Sequence, residues 1–159
     1  MKTLVVFYSR TGTTRKVAEA ISEALNCEVE EIFDTKKRSG ILGYLRSGFD
    51  GRFKRLTVLE EIREDPSTYD LVIIWTPIWA GMMSAPIRSY ISQHKDHFES
   101  VAFFCTAGSG KGDNAFGEME SLCRKKSLGL LELAREDASK DNYVEKVKEF
   151  SERLMQATQ

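Results

Sequence analysis

Short apolar runs alternate along the chain with stretches in which apolar residues recur at helical spacing. Three continuous runs, at residues 4–8, 71–75 and 101–105, are too short for helices and are typical of strands buried on both faces. The helical stretches carry apolar residues three and four positions apart. These positions are Val17, Ala18, Ile21, Ala24 and Leu25; Ile87, Tyr90, Ile91 and His94; Phe116, Met119, Leu122 and Cys123; and Tyr143, Val144, Val147, Phe150 and Leu154.

Two weaker patterns complete the succession of elements. Residues 27–33 alternate as an edge strand would, and residues 128–133 fit a last strand. Strands that alternate with helices in this way form a mainly parallel sheet with helices packed on both faces. The pattern therefore predicts an α/β fold, a doubly wound five-stranded parallel sheet, in a single domain over residues 1–159.

One region, residues 34–59, departs from this alternation. It contains four glycines and seven basic residues against only two acidic ones, Asp34 and Asp50. The spacing of its apolar residues predicts a short helix with an apolar face, which the glycines weaken. These residues are Ile41, Tyr44, Leu45 and Phe49. The region is either a docking or substrate-admitting insert, for an acidic partner protein or an anionic substrate, or an ordinary solvated surface helix.

The charge balance and the cysteines narrow the function classes. With 23 basic and 24 acidic residues the formal net charge is −1, which favours neither nucleic acid nor an anionic membrane as a partner. No apolar run is long enough to span a membrane. The three cysteines, Cys27, Cys105 and Cys123, are odd in number and unpaired in spacing, so we expect a reducing compartment and a cytoplasmic protein.

Three segments leave the carboxyl ends of predicted strands, where open parallel sheets bind ligands. The first supplies hydroxyls and a glycine at the start of a helix, which is the arrangement that binds phosphate; the alternative is an ordinary capped helix start. Its residues are Ser9, Arg10, Thr11, Gly12, Thr13 and Thr14.

The second and third segments are suited to a planar heterocycle. In the second segment, we expect a tryptophan in a loop, where it would stack on a ring or else fold back onto the domain surface. In the third segment, glycines would expose backbone groups to the edge of a heterocycle or else form a flexible surface loop. The second comprises Thr76, Pro77, Ile78, Trp79, Ala80 and Gly81, followed by two methionines. The third comprises Thr106, Ala107, Gly108, Ser109, Lys111 and Gly112, with Gly110 among them.

Several other sites are excluded or weak. A response-regulator receiver domain is excluded, because the positions after the first and third strands hold no acidic pair and no phosphoacceptor aspartate. A P-loop is excluded as well, because the sequence has no complete phosphate-binding P-loop motif. Cys105 and Lys111 only approach a cysteine phosphatase pattern, since lysine lacks the planar fork of arginine. His94 and His97 have no evident third ligand, so we predict no metal site and no catalytic residue.

Taken together, the three segments resemble those of the flavodoxin family. Ser9, Thr11, Gly12 and Thr14 match the family pattern Ser/Thr-x-Thr-Gly-x-Thr after the first strand. Three further stretches are similar to the family: the stretch from Tyr69 into an apolar strand ending at Thr76-Pro77, the Trp79-Ala80-Gly81 segment and the glycine-rich third segment. The resemblance implies strand order 2-1-3-4-5 and one bound FMN, with its phosphate in the first segment and its ring between the other two.

The resemblance also implies a function in electron transfer. The expected protein carries electrons between redox partner proteins through FMN. The alternative is an FMN-dependent NAD(P)H:quinone-type oxidoreductase with a small quinone or nicotinamide substrate. Dedicated flavodoxin carriers are usually strongly acidic, whereas this chain is near neutral and residues 34–59 are basic.

Overall fold

The fold is a parallel sheet whose two faces are covered by helices. A computed structural model describes residues 1–10, 12–108, 112–140 and 142–157. The strands are β1 (Thr3–Phe7), β2 (Glu28–Glu31), β3 (Leu71–Trp79), β4 (Met82–Met83), β5 (Ser100–Ala107) and β6 (Leu130–Ala134). The helices are α1 (Thr13–Leu25), α2 (Gly40–Arg52), α3 (Ala85–His94), α4 (Asp113–Cys123), α5 (Arg135–Ser139) and α6 (Val144–Ala157), with 3₁₀ turns at Pro66–Thr68 and Lys95–His97.

The strand order is β2-β1-β3-β5-β6, with every neighbouring pair parallel. This confirms the expected order 2-1-3-4-5, because β4 is a two-residue antiparallel partner of β3 outside that row. In such a sheet the order reverses between β1 and β3, and the carboxyl ends of these two strands flank the place where ligands bind.

Two apolar cores lie on opposite faces of the sheet, as the alternating side chains of buried strands require. One contains Val5, Ile73 and Phe104 from the strands and packs against α1, α5 and α6. The other contains Val6 and Ile74 and packs against α3 and α4. The solid apolar runs of the sequence are therefore the central strands, which are buried on both faces.

The third predicted strand is longer than expected. The segment expected as a loop after Trp75 continues as β3 to Trp79, turns at two residues and returns as β4, with Trp79 paired to Met82. Ala80 and Gly81 have positive φ values of 50° and 79°. Two successive left-handed residues are what a tight hairpin of this kind requires. The loop prediction for this segment was wrong.

The predicted helix in the basic insert exists as α2, and its glycine-rich polar side is the buried one. Its buried residues are Gly43, Ser47, Asp50 and Gly51. The apolar residues face solvent: Ile41 is 81% exposed and Leu42 82% exposed, and Tyr44, Leu45 and Phe49 are exposed as well.

Glycines explain why the polar side of α2 can lie against the protein. A Cβ on Gly43 would overlap the backbone of Arg38, and one on Gly51 would lie 2.5 Å from the carbonyl oxygen of Trp79. The helix backbone therefore packs directly on its neighbours. A buried ion cluster completes the contact, in which Arg38 meets Asp34 at 2.7 Å and Asp50 at 3.0 Å.

We expect alanine at two glycines of α2 to have opposite effects on stability. Gly43→Ala forces the helix away from the Arg38 backbone and should lower the free energy of unfolding by about 1–3 kcal/mol. Gly48→Ala meets no atom within 4 Å and should raise it by up to about 1 kcal/mol through helix propensity. Urea unfolding followed by circular dichroism measures both, and stabilisation by Gly43→Ala would contradict the close packing of α2.

Candidate functional site

A cavity of about 340 Å³ lies at the carboxyl ends of the parallel strands. It is bounded by the turn after β1, by the carboxyl ends of β3 and β5, by α5 after β6 and by α2. Its lining residues are Arg10, Thr14, Tyr44, Leu45, Ser47, Gly48, Pro77, Ile78, Trp79, Ala80, Thr106, Arg135 and Ala138. The volume is typical of a site for one small molecule.

The first wall is the turn between β1 and α1. Gly12 has a left-handed φ of 82°, and its N–H donates to the Ser9 hydroxyl at 2.9 Å. Gly12 is also the N-cap of α1; in the described part of the chain no side chain caps this helix and its first turn carries no acidic residue. The helix start therefore presents free N–H groups and the positive end of its dipole, which attract an anion.

Two side chains of this turn line the cavity, Arg10 and the nearly buried Thr14. The predicted phosphate ligand Thr11 lies outside the described residues, and so does the side chain of Thr13.

The second wall is the β3–β4 hairpin. Pro77, Ile78, Trp79 and Ala80 line the cavity. Ala80 is a non-glycine residue in the left-handed region, a strained conformation that recurs at ligand sites.

Trp79 is a buried strand residue and not the loop residue that was expected. Its ring meets the Tyr8 ring edge-on at 5.6 Å, and the guanidinium carbon of Arg38 lies 4.7 Å from its centroid. Trp79 is only 7% exposed. It therefore forms a fixed part of the wall.

Thr76 and Gly81, predicted to contact the ligand, do not line the cavity. Thr76 is fully buried; its hydroxyl donates to the Pro77 carbonyl at 2.9 Å and accepts from the Ser84 N–H at 2.9 Å. It holds the base of the hairpin together. Gly81 serves the tight turn through its positive φ.

The third wall comes from β5. Thr106 lines the cavity and Ala107 is buried beside it. A Cβ on Gly108 would lie 3.8 Å from the guanidinium carbon of Arg135, so this glycine lies beside a lining residue. The predicted contacts Ser109 and Lys111, and Gly110 between them, lie outside the described residues.

Gly112 is a structural glycine and does not line the cavity. Its N–H donates to Glu132 at 3.0 Å, and a Cβ there would overlap the Cys105 sulfur. Cys105 is buried, and this burial raises the pKa of its thiol. A buried thiol that stays protonated is a poor nucleophile.

Sequence reasoning missed the lining residues that come from α2 and α5. Arg135 follows directly after β6, so the rule that ligands bind beyond strand ends would have found it. Tyr44, Leu45 and Ser47 had no such signal, because nothing in the sequence showed which side of the sheet the insert covers.

The lining of the cavity has two cationic side chains, three hydroxyl residues, Thr14, Ser47 and Thr106, and otherwise mainly apolar and aromatic groups. Arg10 and Arg135 bring two guanidinium groups, and no described lining residue is a carboxylate. The guanidinium carbon of Arg10 lies 5.3 Å from the Tyr44 ring centroid, which joins the first wall to α2. Two arginines and an uncapped helix start suit a phosphate, and the apolar and aromatic walls suit a planar ring.

Tyr8 lies behind this lining as a neutral group. Burial, followed by the charge of Asp34, raises the pKa of its phenol to about 12. Its hydroxyl therefore stays protonated across the physiological pH range and adds no negative charge near the cavity.

The remaining candidates for chemistry have no site around them. Among the described residues no three His, Cys, Asp or Glu side chains group as metal ligands would. The rings of His94 and His97 are 6.2 Å apart. None of the described helices is long and apolar enough to cross a membrane.

Comparisons with models of protein families and with curated proteins find no match. Solved structures do match. A protein of Bacteroides uniformis classed as a flavoprotein is 26% identical, with 95% of this chain and 97% of that chain covered and a TM-score of 0.78. A Lactobacillus acidophilus flavoprotein solved in complex with FMN is 24% identical over 89% of this chain and 97% of its own, with a TM-score of 0.69.

Oxidised flavodoxin 1 of Bacillus cereus is similar as well, at 18% identity over 98% of each chain and a TM-score of 0.58. Its likeness extends over the whole described architecture of strands and helices. The chain has the flavodoxin-like fold that its sequence resemblance implied.

Proposed function

We propose that the chain binds one FMN in the cavity and carries electrons between redox partner proteins. The observation that supports this most is the combination, in one cavity at the switch point of the sheet, of a helix start that no described side chain caps, two arginines and apolar walls. The Lactobacillus acidophilus structure, which contains FMN on the same fold, adds support.

The residues of the cavity would divide their roles according to their chemistry. Arg10, Thr14 and the backbone around Gly12 would hold the phosphate. Ile78, Ala80 and Trp79 would lie along one side of the ring, with Thr106 on the other and Tyr44 on the α2 side, and Arg135 would bring a second guanidinium to the phosphate. Bound FMN supplies the electron chemistry, while the chain positions it and excludes water. Contacts from Thr11, Thr13, Ser109 and Lys111 remain predictions.

The size of the cavity favours a carrier over the alternative, an FMN-dependent NAD(P)H:quinone oxidoreductase. About 340 Å³ lies near the lower end of the range for small-molecule sites. One cofactor would fill such a space and leave little room for a second small molecule.

Steady-state oxidation of NADPH with a small quinone separates the two functions. The FMN-loaded carrier should turn over below about 0.1 per second, against about 10 per second for a typical enzyme. Turnover near the enzyme value, abolished by removing FMN, would replace the carrier by the oxidoreductase.

The three free cysteines fit the cytoplasmic location that we propose with this function.

We expect Thr14→Val to weaken FMN binding about tenfold, because it removes a hydroxyl at the helix start while keeping the side-chain shape. Riboflavin, which has the same ring and no phosphate, should bind equally to both proteins. Thr14→Ser retains the hydroxyl and is the matched control, with affinity close to that of the parent. Quenching of flavin fluorescence gives the dissociation constants; an equal loss for riboflavin would place Thr14 away from the phosphate.

A further inference from the structure

The exposed face of α2 is unusual for a soluble domain. Seven large apolar residues of α2 and the segment after it are between 48% and 82% exposed. The rings of Phe49 and Phe53 are in contact, with centroids 4.5 Å apart, and Leu45 lies one helical turn before Phe49 on α2. Clusters of exposed apolar groups mark interaction surfaces. We define this surface as the α2 patch: Ile41, Leu42, Leu45, Phe49, Phe53, Leu56 and Val58.

Basic side chains surround the α2 patch. Both acidic residues of the region, Asp34 and Asp50, are nearly buried and pair with Arg38. Six further basic residues are exposed, and of these only Lys36 approaches Asp50, at 3.9 Å. They are Lys36, Lys37, Arg46, Arg52, Lys54 and Arg55.

The rest of the chain has the opposite balance. Residues 34–59 hold seven of the 23 basic residues and two of the 24 acidic ones, so 16 basic and 22 acidic residues lie elsewhere. The α2 patch is therefore surrounded by positive charge, whereas the rest of the chain carries a net negative charge. This charge asymmetry orients an approaching acidic molecule toward α2.

The α2 patch also adjoins the cavity. Leu45 lines the cavity from the same helix that exposes Ile41 and Leu42, and Tyr44 lines it while remaining 59% exposed. A molecule that covers the patch would therefore reach the α2 edge of the bound cofactor.

We propose that the α2 patch is the docking surface for a redox partner protein that carries acidic groups around an apolar centre. Arginines and aromatic rings, here Arg46, Arg52, Phe49 and Phe53, are the side chains enriched in protein interfaces. Transient electron-transfer encounters form the smallest class of protein interfaces, so one helix and its flanks can provide the contact for one. The partner gives one electron to the bound FMN or takes one from it, with no bond made or broken.

The electron-transfer part of this inference rests on the proposed FMN function, whereas docking itself does not. Docking is therefore measured on the full chain without FMN as well as with it. The ¹⁵N-labelled chain is titrated at low ionic strength with an acidic [2Fe–2S] ferredoxin as the probe, and with a basic cytochrome c for comparison. We expect ferredoxin to shift or broaden amide signals of residues 36–58 and cytochrome c to leave them unchanged.

Two charge variants with equal changes in net charge test the location. Arg46→Glu with Arg52→Glu should weaken ferredoxin binding at least tenfold. Lys126→Glu with Lys148→Glu, on exposed positions outside the insert, should change it less than about twofold. Ile41→Ser with Leu42→Ser should weaken binding about fivefold, including at high salt, because it removes the apolar part.

Equal losses in the two charge variants would overturn the proposal, since net charge alone would then govern binding. Absence of binding, or signals perturbed mainly outside residues 36–58, would overturn it too. The chain is also sedimented with vesicles of equal parts phosphatidylcholine and phosphatidylglycerol. If the chain binds these vesicles but not ferredoxin, and Ile41→Ser with Leu42→Ser abolishes vesicle binding, the patch is a membrane surface and the proposal is overturned. Docking at α2 by a chain that binds no FMN would refute the proposed function and leave the docking surface standing.

Discussion

Replacing Arg38 with alanine should lower the free energy of unfolding by about 3–5 kcal/mol, the largest stability effect we expect from one substitution. The Arg38 side chain is 2% exposed, and it pairs with Asp34 and Asp50, whose side chains are 2% and 4% exposed. Removing the guanidinium leaves Asp34 without its cation and leaves Asp50 only the distant Lys36, at 3.9 Å. Urea unfolding of the chain without FMN measures the loss.

The same substitution should also weaken FMN binding, because the Arg38 cluster holds α2 against the cavity. Arg46→Ala is the matched control: it lies on α2 but is exposed, so it should change stability by less than about 0.5 kcal/mol. A loss below about 1 kcal/mol for Arg38→Ala would mean that the ion cluster does not hold the helix in place.

Removing both cationic side chains of the cavity should have the largest effect on ligand affinity. We expect Arg10→Ala with Arg135→Ala to weaken FMN binding about a hundredfold or more, since each charge-assisted hydrogen bond is worth about 1.5–3 kcal/mol. Riboflavin binding should fall by less than about threefold, because riboflavin lacks the phosphate charge. Isothermal titration calorimetry gives both affinities.

The control for this pair removes equal charge at exposed positions away from the cavity. Lys126→Ala with Arg153→Ala should leave FMN affinity within about twofold of the parent. If riboflavin and FMN lost affinity equally in the cavity variant, the arginines would support the ring or the cavity shape and the phosphate would lie elsewhere.

The strands and most helices could be predicted because their apolar patterns report burial directly. Leu71 to Trp75 reads as a strand buried on both faces, and it is one. The continuation to Trp79 was missed because Thr76-Pro77 resembles the end of a strand and Ala80 is not a typical residue of a tight hairpin turn. The predicted loop was therefore a hairpin that fixes Trp79 within the wall.

The orientation of α2 could not be predicted, because the usual rule places apolar residues inside. Here Gly43 and Gly51 permit backbone contact that larger residues would block, and Arg38 neutralises the buried carboxylate of Asp50. Both effects depend on residues brought together by the fold. The same limit applies to the site, where Arg10 and Thr14 were found from their place after β1 and the α2 residues were not.

The most direct test of the central proposal is a titration of the purified chain with FMN, followed by flavin fluorescence and by the visible spectrum. We expect one FMN per chain, with quenched fluorescence and a spectrum altered by the apolar and aromatic walls, and much weaker binding of riboflavin. A chain that leaves the fluorescence and spectrum of FMN unchanged at excess protein would contradict the proposal and leave only the flavodoxin-like fold.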